Sequence, residues 1–146
     1  MPYGKVTDCT DKMERNEDFS RLEISLPACL DNYRYFRSKL EPSTRLLVLV
    51  KANAYGHGAT EFASLMENAG ADYLAVAYPV EGVELREAGI KTPIMVLTAG
   101  TDFFNEIIDY GLEPGIPNLS SLKVLCKVLK ERGVTDFPIH IKLDTG

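Results

Sequence analysis

Leu46-Leu47-Val48-Leu49-Val50-Lys51-Ala52-Asn53-Ala54-Tyr55-Gly56-His57-Gly58 is the stretch whose reading decides the fold. Five consecutive apolar residues read as a strand buried on both faces, the kind found in parallel sheets. A lysine ends the run, and a loop of small residues and glycines follows at once. An ammonium at the end of a buried strand is costly unless it is paired or does chemistry. Partial desolvation lowers a lysine pKa and frees the amine as a nucleophile toward carbonyls. Lys51 is therefore the first candidate functional residue.

Outward from this block the chain repeats a structural unit rather than a sequence. Gly70, Gly89, Gly111 and Gly133 recur every 19 to 22 residues, each after a stretch of helical character, as a helix C-terminal cap would. An apolar segment comes after each: Tyr73 to Ala77, Pro93 to Thr98, Leu112 to Ile116 and Pro138 to Leu143. With Leu46 to Val50 these make five candidate strands. The pattern predicts helices near Thr60 to Ala69, Val80 to Ala88, Asp102 to Tyr110 and Leu119 to Arg132. In the last, Leu122, Leu125, Cys126 and Leu129 form one apolar stripe, with Lys123, Lys127 and Lys130 off it. Strands alternating with helices give a parallel sheet with right-handed crossovers, either open or rolled into a barrel. Val48, Val76 and Val96 are assigned to the inner face of that sheet.

Ahead of these units, Arg21 to Leu26 alternates as a short strand with Leu22, Ile24 and Leu26 on one side. Pro27 opens a helix reaching about Leu40 and carrying Leu30, Tyr33, Phe36 and Arg37, and Glu41-Pro42-Ser43 ends it. Residues 1–19 read as a loose leader and 20–146 as the folded part.

The bulk numbers exclude several classes. The chain has 146 residues, 45% hydrophobic and 25% charged, the composition of a globular domain. A net charge of -5 argues against a nucleic-acid surface. No apolar run approaches the roughly 20 residues that span a bilayer. Met1 to Glu17 lacks the apolar core of a secretory signal, so the cytoplasm is the expected compartment. Cys9, Cys29 and Cys126 are far apart and odd in number, implying neither a disulfide framework nor a metal cluster.

The block Val50-Lys51-Ala52-Asn53-Ala54-Tyr55-Gly56-His57-Gly58 resembles the pyridoxal-phosphate lysine motif of alanine racemases, and the resemblance runs from about Arg21 to Gly146. It implies a fold of (β/α)8 TIM-barrel type, of which five strands and four crossover helices are about half, since such barrels take about 250 residues. The chain then reads as the N-terminal part of that barrel, without the β-rich C-terminal domain. The resemblance implies that Lys51 carries pyridoxal 5'-phosphate as an aldimine, that L- and D-alanine interconvert there for bacterial cell wall, and that the parent is a homodimer with shared active sites. The freed Lys51 would be one base, and a tyrosine from the partner's C-terminal domain the other. Tyr55 would contact the cofactor phosphate. Lys142, in Lys142-Leu143-Asp144-Thr145-Gly146, resembles a family lysine that is often carbamylated and orients a downstream arginine. Asp144 and Thr145 would shape a turn. His57, Asn53 and His140 are assigned to scaffold or lining rather than to proton transfer. Barrel active sites sit at the C-terminal ends of strands, so Lys51 and Lys142 should open onto one face. The alternatives are a pyridoxal-phosphate-binding homeostasis protein of the same barrel type, a related decarboxylase whose Lys-Ala-Asn lacks the Tyr-Gly-His-Gly continuation, and an inert fragment. Alanine and serine preference are not readable.

Overall fold

A computed structural model of the chain describes residues 22–145. The expected leader, 1–19, lies outside them. Helix α1 (Leu26–Ser38) comes first, followed by strand β1 (Leu47–Leu49), a short helical segment α2 (Lys51–Gly56) and helix α3 (Ala59–Asn68). Then come β2 (Tyr73–Val76), α4 (Pro79–Glu87), β3 (Ile94–Val96), a single 3-10 turn at Thr101–Phe103, α5 (Phe104–Asp109), β4 (Glu113–Ile116), α6 (Leu119–Arg132) and β5 (His140–Ile141). The five strands form one parallel sheet in the order β1-β2-β3-β4-β5. Each expected strand is present, trimmed at its ends, and the four expected crossover helices join them.

The helix boundaries have local causes. Asn118 caps α6 by accepting from Ser121 N–H at 2.9 Å, and Gly133 closes it with φ 65°. Gly70, Gly89 and Gly111 also have positive φ, in the left-handed conformation a helix-ending residue needs. Ser25 is extended and its hydroxyl accepts from Ala28 N–H at 3.4 Å, so α1 begins at Leu26 with Pro27 in its first turn. The expected strand at Arg21–Leu26 is consequently not formed in its described part: residues 22–25 join no ladder. Alternation alone does not make a strand without a partner edge to pair with.

The helices cover one face of the sheet. Leu74, Val76, Ile94 and Val96 are fully buried there with Met66, Leu85, Phe104, Ile107, Leu112 and Leu125. Val48 pairs in register with Leu74, and Val76 with Val96, so all three valines lie on this helix-covered face and not on the inner face that the sequence assigned to them. On α6, Leu125 is buried and Leu122 and Leu129 are half-buried, whereas Cys126 is exposed and falls off the stripe. On α1 it is Tyr33 that is buried, and Phe36 is 61% exposed.

The other face is concave. Register places Leu47 beside Tyr73, Leu49 beside Ala75, Ala75 beside Met95, Met95 beside Glu113, and Gly115 beside His140. The Tyr73 and His140 rings meet edge to face at 5.7 Å, although their strands lie three places apart in the sheet. In a flat sheet three steps of about 4.8 Å would hold them roughly 14 Å apart. The sheet is therefore curled as in part of a barrel. Glu113 Oε2 lies 2.8 Å from His140 Nε2 on the same face, which makes His140 a lining residue.

Candidate active site

Lys51 follows β1 directly. The ladder continues one residue past the strand, where Val50 N–H donates to Ala75 O at 2.8 Å. Val50, at φ -121° and ψ 17°, leaves the extended conformation, so Lys51 opens the next segment at the C-terminal end of β1. The loop expected after it is instead a left-handed helical turn. Ala52, Asn53, Ala54 and Tyr55 all have φ between 50° and 56° and ψ between 34° and 54°. Left-handed backbone costs L-residues about 1–2 kcal/mol each, so four in succession store roughly 4–8 kcal/mol. Strain of this kind persists only where the surroundings over-determine it, and it concentrates at functional sites.

The determinants are polar and specific. Ala54 N–H donates to Val50 O at 2.9 Å, and Gly58 N–H to Asn53 O at 3.1 Å. The Asn53 side chain accepts from Ala59 N–H at 2.7 Å, tying the turn to the start of α3. His57 Nδ1 lies 2.7 Å from Ala54 O, and its ring is 6.0 Å from that of Phe62. Asn53 and His57 thus bond within the turn and to the start of α3. Gly56 and Gly58, at φ 89° and 90°, release the chain from the turn into α3.

Glu81 was missed in the sequence. Its Oε1 accepts from Ala52 N–H at 2.7 Å, and its Oε2 from Ala77 N–H at 2.7 Å and Tyr78 N–H at 3.0 Å. Part of this was findable. Tyr78-Pro79-Val80-Glu81 is a helix start with Pro in its first turn and Glu three residues after the cap. The bond to Ala52, across 29 residues, has no local signal.

Lys51 is half-buried, and among the described residues it has no salt-bridge partner; its amine stands 6.0 Å from the centre of the Tyr55 ring. Tyr55 is 59% exposed, so its phenol is open to a ligand. An unpaired amine beside a phenol can hold a group that carries both a carbonyl and a phosphate: the amine takes the carbonyl, and the hydroxyl donates to a phosphate oxygen. That donor set fits pyridoxal phosphate. Lys142 follows β5, its N–H donating to Ile116 O at 3.0 Å, and its side chain is exposed. Because all five strands are parallel, Lys51 and Lys142 share one edge of the sheet, at its opposite ends. Asp144 and Thr145 are exposed and outside regular structure. A cavity of about 380 Å³ adjoins the turn, between α1, the open edge of β1 and α3, with Tyr33, Leu47, Leu49, Tyr55 and Phe62 in its wall. No group of three or more His, Cys, Asp or Glu among the described residues could hold a metal. No helix among them is long and apolar enough to cross a membrane.

The pronounced charge effects lie at the opposite edge. Arg86 donates to the carbonyls of Ile90, Thr92, Tyr110 and Gly111 at 2.8–3.3 Å, and burial pulls its pKa down. Glu67 accepts from Lys91 N–H, Thr92 N–H and the Thr92 hydroxyl at 2.6–2.8 Å, and the bonds from Thr92 hold its carboxyl below the ordinary value. These are clasps at the N-terminal ends of the strands, away from Lys51.

A curled parallel sheet with crossover helices on one face and a lysine closing the first strand defines the class: the first strands of a β/α barrel with its chemistry at the C-terminal edge. The comparisons agree and are narrower. The family described as alanine racemase, N-terminal domain, matches residues 24–146. Alanine racemase of Synechocystis is 40% identical over 127 residues, covering 86% of this chain and 34% of the relative. That of Thermodesulfovibrio yellowstonii is 40% identical over 134 residues, covering 88% and 35%. The solved alanine racemase of Clostridium difficile 630 superposes with a TM-score of 0.76 at 34% identity, over 80% of this chain and 31% of that one. The chain belongs to the alanine racemase N-terminal domain family. It spans about a third of the length of the curated relatives it matches.

Proposed function

We propose that this chain supplies the lysine-bearing part of a cytoplasmic alanine racemase that interconverts L- and D-alanine with pyridoxal 5'-phosphate and works as a homodimer. The observation that carries the reading is Lys51: an amine without a salt-bridge partner among the described residues, mounted on a strained turn at the C-terminal edge of the sheet. Lys51 would hold the cofactor through its amine, and Tyr55 would donate a hydrogen bond to its phosphate. When bound, the cofactor supplies an electron sink that lowers the cost of removing a proton from an amino-acid α-carbon. Lys51 Nζ, once free and neutral, takes or returns that proton on one face. Racemisation needs a second proton group on the other face, which the family resemblance assigns to a partner subunit. Lys142 would stand at the rim as a charge-orienting residue, carbamylated or not.

The test is covalent mapping. The chain is incubated with pyridoxal phosphate, reduced with borohydride and digested. Label concentrated on Lys51 and lost in Lys51→Ala supports the reading; label spread evenly over the lysines refutes it. A coupled assay of D-alanine formation by the 146-residue chain alone should read background, because members of a catalytic unit act non-additively. Turnover abolished by Lys51→Ala would mean that the opposite-face group lies within this chain.

A further inference from the structure

From the bonds at the edge of the sheet, we infer that Glu81 is a positioning residue for Lys51: its carboxylate fixes the peptide on the C-terminal side of the lysine and sets the direction of the amine. The inference rests on the cofactor reading of Lys51 given above.

Two peptide groups bracket the lysine. On one side the peptide joining Val50 to Lys51 has its carbonyl accepting from Ala54 N–H at 2.9 Å, just after Val50 N–H closes the ladder on Ala75 O at 2.8 Å. On the other, the peptide joining Lys51 to Ala52 has its N–H bonded to Glu81 Oε1 at 2.7 Å. Ala52 is also the first of the four left-handed residues, so this bond sits where the chain changes hand. The carboxylate cannot drift, because its other oxygen is held by Ala77 and Tyr78 N–H at 2.7 and 3.0 Å, at the end of the neighbouring strand. Glu81 thus rivets the end of β1 to the end of β2 through three N–H donors and one side chain. An ionised carboxylate is acceptor-only with two equivalent oxygens, and charge-assisted bonds of this length are the strong kind. Glutamine, the nearest neutral match in shape, does not satisfy the site. Glutamine offers a single acceptor oxygen, so one of its ends must turn an NH2 group toward an N–H donor.

The clasp at the opposite edge provides the control. Glu67 likewise gathers two backbone N–H groups and a hydroxyl, but at the N-terminal ends of the strands. The Glu67 bonds all end on Oε2, so Glu67→Gln can keep them, and the clasp stands far from Lys51. A merely structural role for Glu81 would make Glu81→Gln cost stability and leave how Lys51 meets a ligand as unchanged as in Glu67→Gln. A positioning role separates them.

The experiment uses the full chain, unsubstituted and as the two variants, with pyridoxal phosphate as the probe. Circular dichroism in the cofactor's visible band reports a chromophore held in one fixed orientation, and trapping at Lys51 is followed by borohydride and peptide mapping. Glu81→Gln should lose most of the induced dichroism and bind roughly tenfold or more weakly, the weight of one hydrogen bond to a charged group. Glu67→Gln, compared at a temperature where all three are folded, should match the unsubstituted chain. Equal dichroism and equal trapping in both variants overturn the inference while leaving Lys51 as the cofactor lysine. Absence of Lys51 trapping in the unsubstituted chain overturns the cofactor reading itself. Should Glu81→Gln not fold, amide exchange in the unsubstituted chain decides: the Ala52 N–H must be protected to the degree of Val50 and Ala77, and exchange at open-loop rates overturns the inference.

Discussion

Replacing Arg86 by methionine should cost the domain much of its stability and leave the chemistry at Lys51 alone. The side chain reaches from α4 to the carbonyls that precede β3 and β4. Its Nη1 donates to Thr92 O at 2.8 Å and Ile90 O at 2.9 Å, and two longer bonds run to Tyr110 O at 3.2 Å and Gly111 O at 3.3 Å. Methionine keeps much of the aliphatic stem and none of the donors. A hydrogen bond to a charged group contributes about 1.5–3 kcal/mol, so the two short bonds alone represent roughly 3–6 kcal/mol. The guanidinium's own burial, which lowers its pKa, offsets part of this, and we expect a net loss of about 3–5 kcal/mol. For a domain of about 120 residues each kcal/mol moves Tm by about 4 °C, so the melt should fall by roughly 12–20 °C. Urea unfolding followed by circular dichroism gives the free energy, and scanning calorimetry the melt. Borohydride trapping at Lys51, done well below both melting temperatures, should be unchanged. A loss smaller than about 1 kcal/mol would show that the four carbonyls find water readily and that the clasp is ornamental.

Glu67 sets an acid limit: its folded pKa is lowered, so its contribution is complete above the usual carboxylate pKa of about 4.3 and is lost as pH falls through the lowered value. Stability measured from pH 6 down to 3 should drop less steeply in Glu67→Gln than in the unsubstituted chain; parallel curves would remove Glu67 from the account. Gly82→Ala would set a Cβ at 2.9 and 3.0 Å from the two methyls of fully buried Leu112, an overpacking cost of about 1–3 kcal/mol readable as a lowered urea midpoint. The open edges, with Leu47 42%, Ile141 70% and Leu143 78% exposed, should make the isolated 146-residue chain self-associate on size-exclusion chromatography with light scattering. A monodisperse monomer with a sharp melt would refute that expectation.

Much of the fold was legible because its units are punctuated. Asn118 and Gly133 mark the ends of α6 to the residue, and the recurring glycines mark α3, α4 and α5. What failed is instructive. Runs such as Leu74-Ala75-Val76 are buried on both faces, so they carry no alternation from which to read which side meets the helices; Val48, Val76 and Val96 were placed on the wrong one. Cys126 sits at the margin of the helical stripe, where a 3.6-residue period does not separate core from surface. The segment before Ser25 alternates like a strand, but a strand's existence depends on a partner that local pattern cannot supply.

The candidate site's residues could be named from the sequence, and its backbone could not. Lys51 announces itself as a candidate by ending an apolar run, and Asn53 and His57 stand in the turn that the structure ties to α3. Nothing in Ala52-Asn53-Ala54-Tyr55 signals a left-handed turn. Alanine is the strongest right-handed helix former, and of the four only asparagine visits the left-handed region readily. The hand of the turn is imposed from outside, by groups up to 29 residues away. Charged side chains that gather backbone N–H or carbonyl groups occur at both edges of the sheet. At the N-terminal edge Arg86 and Glu67 clasp loops that bear no candidate chemistry, and their effect stops at stability. At the C-terminal edge the same device, built from Glu81, closes on the peptide beside Lys51, and there the stored strain acts on the direction of the amine. A carboxylate in the first turn of a crossover helix would otherwise be read as a helix cap alone. Its second oxygen serves that purpose, and its first is the one that reaches the lysine's turn.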